Sequence, residues 1–491
     1  MCKARLYYSL IACLLLFGAM SLEATPRLTV VIVADGLNRR SLELMQPYWP
    51  QGGLRTLSEE GSSSDIVFPH WVYGGNESMA TVLTGALPSE HGWTMDTWFS
   101  RSDRMVHLFL EDMQEQGIGS YGQWSPRMIL CPTVTDRWRM LYGEKARIYA
   151  VGIHPQTTVL LAGHSADACC WMDGRHNAWV STSFYGGGLP AAADAMNMSG
   201  RFAEVAGREW MPRMAVSMYN LPTDNELKHG FRYTGTDFLY SSPNADALVV
   251  ELALSLQEEE RMGTDNVPDI LMLEMTVSSP VAVSDNIGSA EQEDMYLWFN
   301  QHLGYLMEQL DHRIGRQNYQ VMLVGRPLSG TDAVAMERAG MPCRAFNVDH
   351  AAALTSAYLM AVYGHERWVD GGYGQSIFLN RPLLEQKGMS LETVQRQVAN
   401  FLMEFEGVQL ACPQHEAFLN DGMASSVNKR FAGDVVFTLQ PGWKLTYNDK
   451  QLLDNVVEMQ PTAPLLYWSA DDQSPLDDIL PATDILKLLL R

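Results

Sequence analysis

Asp35 is the first residue of this sequence whose type and position could carry chemistry. It follows an apolar strand pattern that begins at Leu28, and Gly36 comes directly after it. In an open parallel sheet, ligands bind beyond the carboxyl ends of the strands. A carboxylate at this place predicts a metal-binding or catalytic Asp, although an Asp that caps a turn before a Gly has the same pattern.

The sequence lacks the common motifs of several other enzyme classes. A serine hydrolase requires Gly-x-Ser-x-Gly, whereas the segment around Ser165 reads Gly-His-Ser-Ala-Asp. The segment Cys131-Pro132-Thr133 does not have the Cys-x-Pro-x-Arg spacing of a sulfatase motif. Neither a phosphate-binding P-loop nor a Gly-rich dinucleotide fingerprint is present. The sequence therefore does not assign Asp35 to any of these enzyme classes.

Buried-strand patterns alternate with long helical patterns over much of the chain. Strands that are apolar on both faces belong in a parallel sheet covered by helices. The alternation therefore predicts an α/β fold with a mostly parallel central sheet flanked by helices. The clearest strand patterns lie at 28–34, 147–153, 269–275 and 320–324, and the clearest helical patterns at 245–257 and 291–314.

An inserted cap region is predicted at about 182–240, where the chain is rich in Gly, Pro, Asn and Met and has weak periodicity. Such an insertion over a sheet edge often forms the wall of a ligand cleft. A second irregular stretch runs from 328 to 348, and the segment 389–468 is expected to complete the same domain. Because charged linkers and Gly/Ser tracts are absent, we expect residues 25–491 to form one domain with insertions.

The N-terminal segment 1–24 has the layout of a secretory signal peptide. A short basic start precedes an apolar run over 10–20, which is too short to span a bilayer, and cleavage is expected after Ala24. A lipoprotein attached through Cys13 is the alternative, but the apolar run continues past that residue. No later segment is long and apolar enough to cross a membrane. The sequence therefore predicts an exported protein of the periplasm or cell envelope.

The composition narrows the range of partners. The formal net charge of −22 argues against binding to nucleic acid or anionic lipid, because a polyanion is repelled at long range. No CxxC pair or zinc-finger spacing is present among the cysteines. An unknown protein or a small ligand is therefore the expected partner.

Segments of a known family are matched in order along nearly the whole mature chain. Residues 28–37 resemble a first strand that ends in a metal-binding Asp, and residues 81–92 contain Thr-Gly-Ala-Leu-Pro-Ser-Glu-His-Gly. Further matches lie at 125–136, 162–171, 269–273, 294–297, 317–321 and 464–467. On these segments the chain resembles the alkaline phosphatase superfamily, and within it the secreted bacterial phosphatases of the nucleotide pyrophosphatase/phosphodiesterase type.

The resemblance implies a site with two zinc ions about 4 Å apart, which activate a Thr or Ser nucleophile and stabilise the phosphoryl charge. Asp and His side chains hold these ions in the family. In this chain the nucleophile position corresponds to Gly75, and among the ligand positions only Asp35 is an Asp or His. The other ligand positions correspond to Ser279, Val283, Arg326, Pro327 and Thr462, and the positions that contact phosphate correspond to Asp96, His154 and Gln156.

These departures remove the basis for zinc chemistry. A single carboxylate does not hold Zn²⁺ with useful affinity, since such sites need three or more protein ligands. We therefore expect no metal, no other cofactor and no catalytic residue. Without two dications, Asp35 is uncompensated at a buried strand end, which costs several kcal/mol. We expect the guanidinium of Arg326, from a neighbouring strand end, to occupy the vacated metal position and pair with Asp35.

The sequence thus favours an exported, catalytically inactive protein that serves as a binding or scaffold module. Its unknown protein or small-ligand partner is expected at the former active-site cleft. The alternative is an active phosphomonoesterase or phosphodiesterase with a rearranged site around Asp35, Asn76, Ser78, Asp96 and His154. A purely structural role in the envelope is a third possibility. Turnover that Asp35→Ala abolishes distinguishes the second hypothesis from the first.

Overall fold

The structure is a computed structural model that describes residues 25–120, 122–219, 230–280, 289–327, 340, 344–447, 450–451, 461–472 and 474–490. The predicted signal peptide at 1–24 and the site position Val283 lie outside these residues. Within them, the central sheet has ten strands. In chain order these are β1 (Leu28–Asp35), β2 (Ser62–Val67), β3 (Gly117–Ile118), β4 (Ile148–Gly152), β5 (Ala168–Asp173), β6 (Ala178–Thr182), β7 (Asp269–Thr276), β8 (Tyr319–Gly325), β9 (Thr462–Ser469) and β10 (Ile479–Pro481).

The sheet is mostly parallel, as the alternation of strands and helices predicts. Its order in space is β10-β2-β9-β8-β1-β7-β4-β5-β6-β3. The five adjacent strands from β8 to β5 are all parallel. Antiparallel partners flank them, β9 beside β8 and β6 beside β5. The carboxyl ends of the five parallel strands therefore lie along one edge of the sheet.

Helices cover both faces of this sheet. The described α-helices are α1 (Arg39–Met45), α2 (Leu54–Glu60), α3 (Asn76–Thr84), α4 (Pro88–His91), α5 (Val134–Tyr142), α6 (Pro155–Ala162), α7 (Ala191–Met198), α8 (Arg201–Ala206), α9 (Pro243–Glu259), α10 (Ala290–Arg313), α11 (Val348–Tyr363), α12 (Arg381–Gln386), α13 (Leu391–Leu402), α14 (Asp421–Ser426) and α15 (Ile485–Leu489). None of these combines the length and the apolar character that crossing a bilayer requires.

The unbroken apolar sequence of β1 follows from burial on both sides. Val30 and Ile32 belong to one hydrophobic core with side chains of α9 and α10. Val31 and Val33 belong to a second core with side chains of α3 and α6. Because successive side chains of a strand point to opposite faces, β1 contributes to both cores and fixes the position of Asp35 at its end.

The segment 182–240 contains α7 and α8, which pack against α9, followed by short irregular turns. Its residues 220–229 lie outside the described part of the chain. The segment is fastened by Asp294 of α10, which accepts hydrogen bonds from the indole N–H of Trp210 at 2.7 Å and the hydroxyl of Tyr219 at 2.6 Å. Phe231 packs in the same buried cluster. A buried carboxylate thus positions much of the predicted cap region.

A second set of sheets lies between β8 and β9 in the chain. One is antiparallel, in the order Val369–Tyr373, Ser376–Leu379, Val435–Leu439 and Val408–Pro413. The other joins Arg344–Asn347, Trp443–Tyr447 and Lys450–Gln451. Together with α11 and α13, the strands of these two sheets have a hydrophobic core of their own. A separate small hairpin pairs Thr97–Phe99 with Val106–Leu108. Of the segment expected to complete the central domain, only β9 joins the central sheet.

Candidate functional site

Four neighbouring strands bring charged side chains to the same edge of the sheet. Asp35 ends β1, Glu274 lies near the end of β7, His154 follows β4 and Arg326 follows β8. The register pairs Asp35 with Thr276, so the carboxyl ends of β1 and β7 are level. This edge is where ligands bind in open parallel sheets.

Glu274 is the centre of this cluster. Its Oε1 lies 3.2 Å from Nη2 of Arg326 and 3.0 Å from Nδ1 of His154. Its Oε2 accepts hydrogen bonds of 2.8 Å from the backbone N–H groups of Ile153 and His154. The Glu274 side chain is 1% exposed, so these contacts replace its hydration almost completely.

The charges of the cluster stabilise one another. Burial by itself raises the pKa of Glu274, but the charge and hydrogen bond of His154 and the charge of Arg326 outweigh it and hold the pKa at about 2. Burial lowers the pKa of His154, and Glu274 reverses this effect, so the pKa of His154 is raised. Glu274 is therefore ionised at neutral pH, with His154 and Arg326 on either side of it.

Arg326 also lies beside Asp35, as the sequence analysis predicts. Its Nη1 is 3.9 Å from Oδ1 of Asp35, a longer contact than the one with Glu274. The other carboxylate oxygen of Asp35 accepts a hydrogen bond of 3.0 Å from the hydroxyl of Ser278. The predicted Asp35–Arg326 pair is thus confirmed, but the closest carboxylate partner of Arg326 is Glu274.

Gly75 lies at the start of α3 and faces Arg326. It precedes the first residue of the helix with a φ of +91°, in the left-handed region. A Cβ built at this position would lie 3.5 Å from Cδ of Arg326. The stem of Arg326 therefore lies at van der Waals distance from the position of a Cβ at residue 75.

A chain of hydrogen bonds connects this helix start to the charged cluster. The amide of Asn76 donates to both carboxylate oxygens of Asp96 at 3.0 Å. The hydroxyl of Thr157 donates to Oδ1 of Asn76 at 3.1 Å and accepts from Nη2 of Arg326. Trp93 donates to Asp96 as well, at 3.1 Å. Burial raises the pKa of Asp96 against these hydrogen bonds and the charge of Arg326, which lower it.

Glu77 is a second buried carboxylate at the same place. Its Oε1 accepts hydrogen bonds from the backbone N–H groups of Tyr73, Gly74 and Gly75. Burial, together with the charge of Asp96, raises the pKa of Glu77 to about 7 despite these donors. The Glu77 carboxylate thus holds the turn before α3 through three hydrogen bonds, and its burial there makes it harder to ionise.

This raised pKa makes a pH-dependent contribution to stability. Because the pKa of Glu77 is higher in the folded chain than its ordinary value, the contribution is complete below about pH 4.5 and is lost as the pH rises through about 7. We expect Glu77→Gln to reduce this loss by about 1–2 kcal/mol between pH 5 and pH 8, since the amide keeps an acceptor for the three N–H groups and has no charge. Urea unfolding at both pH values measures the difference.

The control for this prediction is Glu43→Gln, which changes an exposed residue of α1. It is expected to leave the pH dependence of unfolding unchanged. An equal pH dependence for wild type and Glu77→Gln would contradict the prediction.

The remaining predicted site residues lie at the same edge or close to it. Gln156 is in the first turn of α6, Ser279 follows β7 and Pro327 follows β8. Thr462 begins β9, which runs antiparallel to β8, so it lies near the carboxyl end of β8. Val283 is outside the described residues. The structure therefore brings the described positions of the predicted site into one region.

The residues of this region do not fit a pair of zinc ions. In the described ranges, no group of three or more His, Cys, Asp or Glu side chains lies close enough together to hold a metal ion. The carboxylates that are present are bonded to protein groups, Glu274 and Asp35 to Arg326 and Asp96 to Asn76. A dication at this edge would meet the fixed charge of Arg326, which repels it.

The sequence analysis missed Glu274, Thr157 and Glu77. A signal existed for Glu274, because it is a single charged residue inside a strand pattern that is otherwise buried, and a buried charge needs a partner. Thr157 and Glu77 gave no signal of this kind. Their roles depend on side chains that only the fold brings near.

Comparisons with known proteins agree with the fold. The chain is 21% identical over 467 residues to alkaline phosphatase PafA from Elizabethkingia meningoseptica, and the alignment covers 89% of this chain and 85% of PafA. It is also 21% identical over 467 residues to a protein named calcium-transporting ATPase from Myroides odoratus, covering 88% and 85%. The crystal structure of wild-type PafA superposes with a TM-score of 0.79 at 20% identity over 95% of this chain and 96% of that one.

A family model extends the agreement over most of the chain. The model described as type I phosphodiesterase / nucleotide pyrophosphatase matches residues 29–462. This range runs from β1 to β9 and includes every predicted site residue. The resemblance drawn from the sequence motifs is confirmed by this match, and the chain belongs to the type I phosphodiesterase / nucleotide pyrophosphatase family.

Proposed function

We propose that this chain is an exported, catalytically inactive member of its family, which serves as a binding or scaffold module. The observation that carries the proposal is the position of Arg326. Its guanidinium contacts Asp35 and Glu274, and its stem lies at van der Waals distance from the position of a Cβ at Gly75. One internal side chain thus occupies the region that the family resemblance assigns to metal ions and nucleophile.

The charges of the site support this proposal. Arg326 is only 10% exposed, and two carboxylates already compensate its charge. The remaining carboxylate, Asp96, stands where the resemblance implies an uncharged phosphate contact. A phosphoryl group entering here would meet carboxylates and no free metal ion, so its charge would be repelled.

Two other residues support the absence of a nucleophile. Gly75 offers no side chain, and Ser78, the nearest serine or threonine along the chain, is completely buried within α3. A nucleophile must reach its substrate at hydrogen-bond range of an activating base. A buried serine on the inner surface of a helix does not.

Export is the second part of the proposal. It rests on the basic start, the short apolar run and the cleavage signal within residues 1–24. Fractionation of cells that express the full chain tests it, with release of residues 25–491 into the periplasm as the expected result. Retention of the uncleaved chain in the cytoplasm would overturn it.

The activity test uses purified protein of residues 25–491 with excess Zn²⁺. We expect it to hydrolyse an aryl phosphate and an aryl phosphodiester no faster than its Asp35→Ala variant, because neither metal ligands nor a nucleophile surround Asp35. Metal analysis after gel filtration is expected to find no stoichiometric zinc in either protein. Asp237→Ala, which changes an exposed residue outside the site, serves as the matched control.

Turnover that Asp35→Ala abolishes and Asp237→Ala keeps would overturn the proposal. Stoichiometric zinc that depends on Asp35 would overturn it as well. Equal background rates in all three proteins support it.

A second candidate function is a hydrolase with a rearranged site, and the His154–Glu274 pair favours it. The imidazole is about half exposed, and a buried carboxylate fixes its Nδ1, an arrangement that orients a general base in other enzymes. This candidate predicts zinc-independent turnover that His154→Gln abolishes. The same assay without metal separates it from the main proposal.

A further inference from the structure

A cavity of about 320 Å³ lies away from the central sheet, between the strands Val408–Pro413, Val435–Leu439 and Trp443–Tyr447. Trp71, which precedes α3, closes one side. The volume is within the range of small-molecule sites, about 300–1,000 Å³. None of the residues that line it is charged, although the chain as a whole has a net charge of −22.

The polar groups in this cavity are mainly carboxamides. Gln409 and Gln440 line it with exposed side-chain amides, whereas the amide of Gln375 already donates to the backbone carbonyl of Phe437 at 3.0 Å. Asn420 uses its Oδ1 to accept from the backbone N–H of Met423, which leaves its NH₂ group for another acceptor. The cavity therefore offers several groups that both donate and accept hydrogen bonds.

Two indole rings contribute to the apolar surface of the cavity, together with Leu410, Leu439 and Leu445. Trp71 is 6% exposed, and its backbone N–H donates to the hydroxyl of Ser426 at 2.9 Å. No described residue accepts a hydrogen bond from its indole N–H. Trp443 lies against Gly407 so closely that a Cβ at Gly407 would be 2.5 Å from its Cδ2. The glycine thus lets the indole lie flat on the backbone and holds it in place.

These features match the chemistry of a neutral saccharide. A sugar ring has an apolar C–H face, which packs on an indole, and a rim of hydroxyls, which pair with groups that both donate and accept. A purely apolar ligand would displace water from the carboxamides and offer no hydrogen bond in its place, which costs free energy for each group. An anionic ligand would find no cation among the lining residues and a repulsive net charge around them. The guanidinium of Arg344, 5.9 Å from the centre of the Trp443 ring, is already paired with Glu406.

We propose that this cavity binds a neutral saccharide. The proposal stands on the lining of the cavity and is independent of whether the charged cluster at the sheet edge has activity. Both indoles contact the ring or its neighbour, and Gln409 and Gln440 bond the hydroxyls. Asn420 adds a donor from the helix start of α14.

The test is a calorimetric titration of purified protein of residues 25–491 with glucose, maltose, cellobiose and N-acetylglucosamine. Glucose 6-phosphate is the anionic comparison. We expect at least one neutral sugar to bind saturably at concentrations below about 10 mM, and glucose 6-phosphate to bind more weakly than glucose. Quenching of tryptophan fluorescence in the same titration places the sugar next to an indole.

The double variant Gln409→Ala/Gln440→Ala is expected to weaken the binding about 10- to 30-fold. Both residues are exposed, so the variant retains the fold, which its thermal unfolding checks. Gln386→Ala changes an exposed glutamine at the end of α12, outside the cavity, and is expected to bind as wild type does.

The proposal is overturned if none of the neutral sugars binds below about 50 mM, which is the weak end of specific recognition. It is also overturned if the double variant binds as tightly as Gln386→Ala, or if glucose 6-phosphate binds at least as tightly as glucose. Each of these results assigns the cavity to solvent or to another ligand class.

Discussion

Replacing Glu274 with alanine is expected to lower the free energy of unfolding by about 3–5 kcal/mol. The substitution leaves the nearly buried guanidinium of Arg326 without its closest counter-charge. It also removes the acceptor for the backbone N–H groups of Ile153 and His154, which lie inside the fold. Urea unfolding at pH 7 measures the loss.

The matched control is Glu59→Ala, which removes a carboxylate from an exposed ion pair. Arg55 and Glu59 are 2.8 Å apart at successive turns of α2, and their side chains are 36% and 51% exposed. Such pairs contribute less than about 0.5 kcal/mol. A loss for Glu274→Ala that is no larger than the loss for Glu59→Ala would contradict the prediction.

Replacing both residues of the Glu274–Arg326 ion pair distinguishes the contribution of the ion pair from that of the other contacts of Glu274. We expect Glu274→Met combined with Arg326→Met to recover part of the stability that the single change loses, because the buried guanidinium no longer lacks its closest counter-charge. The recovery is incomplete, since Asp35 loses Arg326 and the N–H groups of Ile153 and His154 still lack their acceptor. A double variant as unstable as Glu274→Ala would show that the backbone N–H groups, rather than the ion pair, determine the loss.

Asp294→Ala is expected to release part of the segment 182–240 and to cost about 3 kcal/mol. Its carboxylate accepts the indole N–H of Trp210, the hydroxyl of Tyr219 and the backbone N–H of Arg213. These donors lose their acceptor together, since they all meet at one buried side chain. Limited trypsin digestion is expected to cut at Arg208 and Arg213 in the variant before it cuts in wild type.

Asp237→Ala is the control for this experiment, because Asp237 is an exposed residue of the same segment. It is expected to leave the digestion pattern and the unfolding free energy unchanged. Identical digestion of Asp294→Ala and wild type would show that the aromatic cluster alone holds the segment.

The central fold follows closely from the sequence pattern. The predicted strand at 28–34 is Leu28–Asp35, and the one at 269–275 is Asp269–Thr276. The predicted helix at 291–314 is Ala290–Arg313. These elements are buried on one or both faces, and the spacing of their apolar residues follows directly from which faces are buried.

The site followed from the sequence only in part. Asp35 and Arg326 end predicted strands, and the edge where they meet is a property of parallel sheets, so their proximity was predictable. The role of Glu274 was not, because a strand pattern does not tell which neighbour a polar side chain faces. The saccharide cavity was also beyond prediction, since Trp71 and Trp443 lie hundreds of residues apart and only the fold brings them together.

The conformation of Gly75 has an evolutionary consequence. A threonine placed there would require a β-branched residue at a φ of +91°, with strain on the order of 1–3 kcal/mol. Its side chain would extend toward the Arg326 stem, which is already in contact with the position of a Cβ. On the proposed function, a working nucleophile at position 75 would therefore require a second change at position 326, so two substitutions would have to occur together.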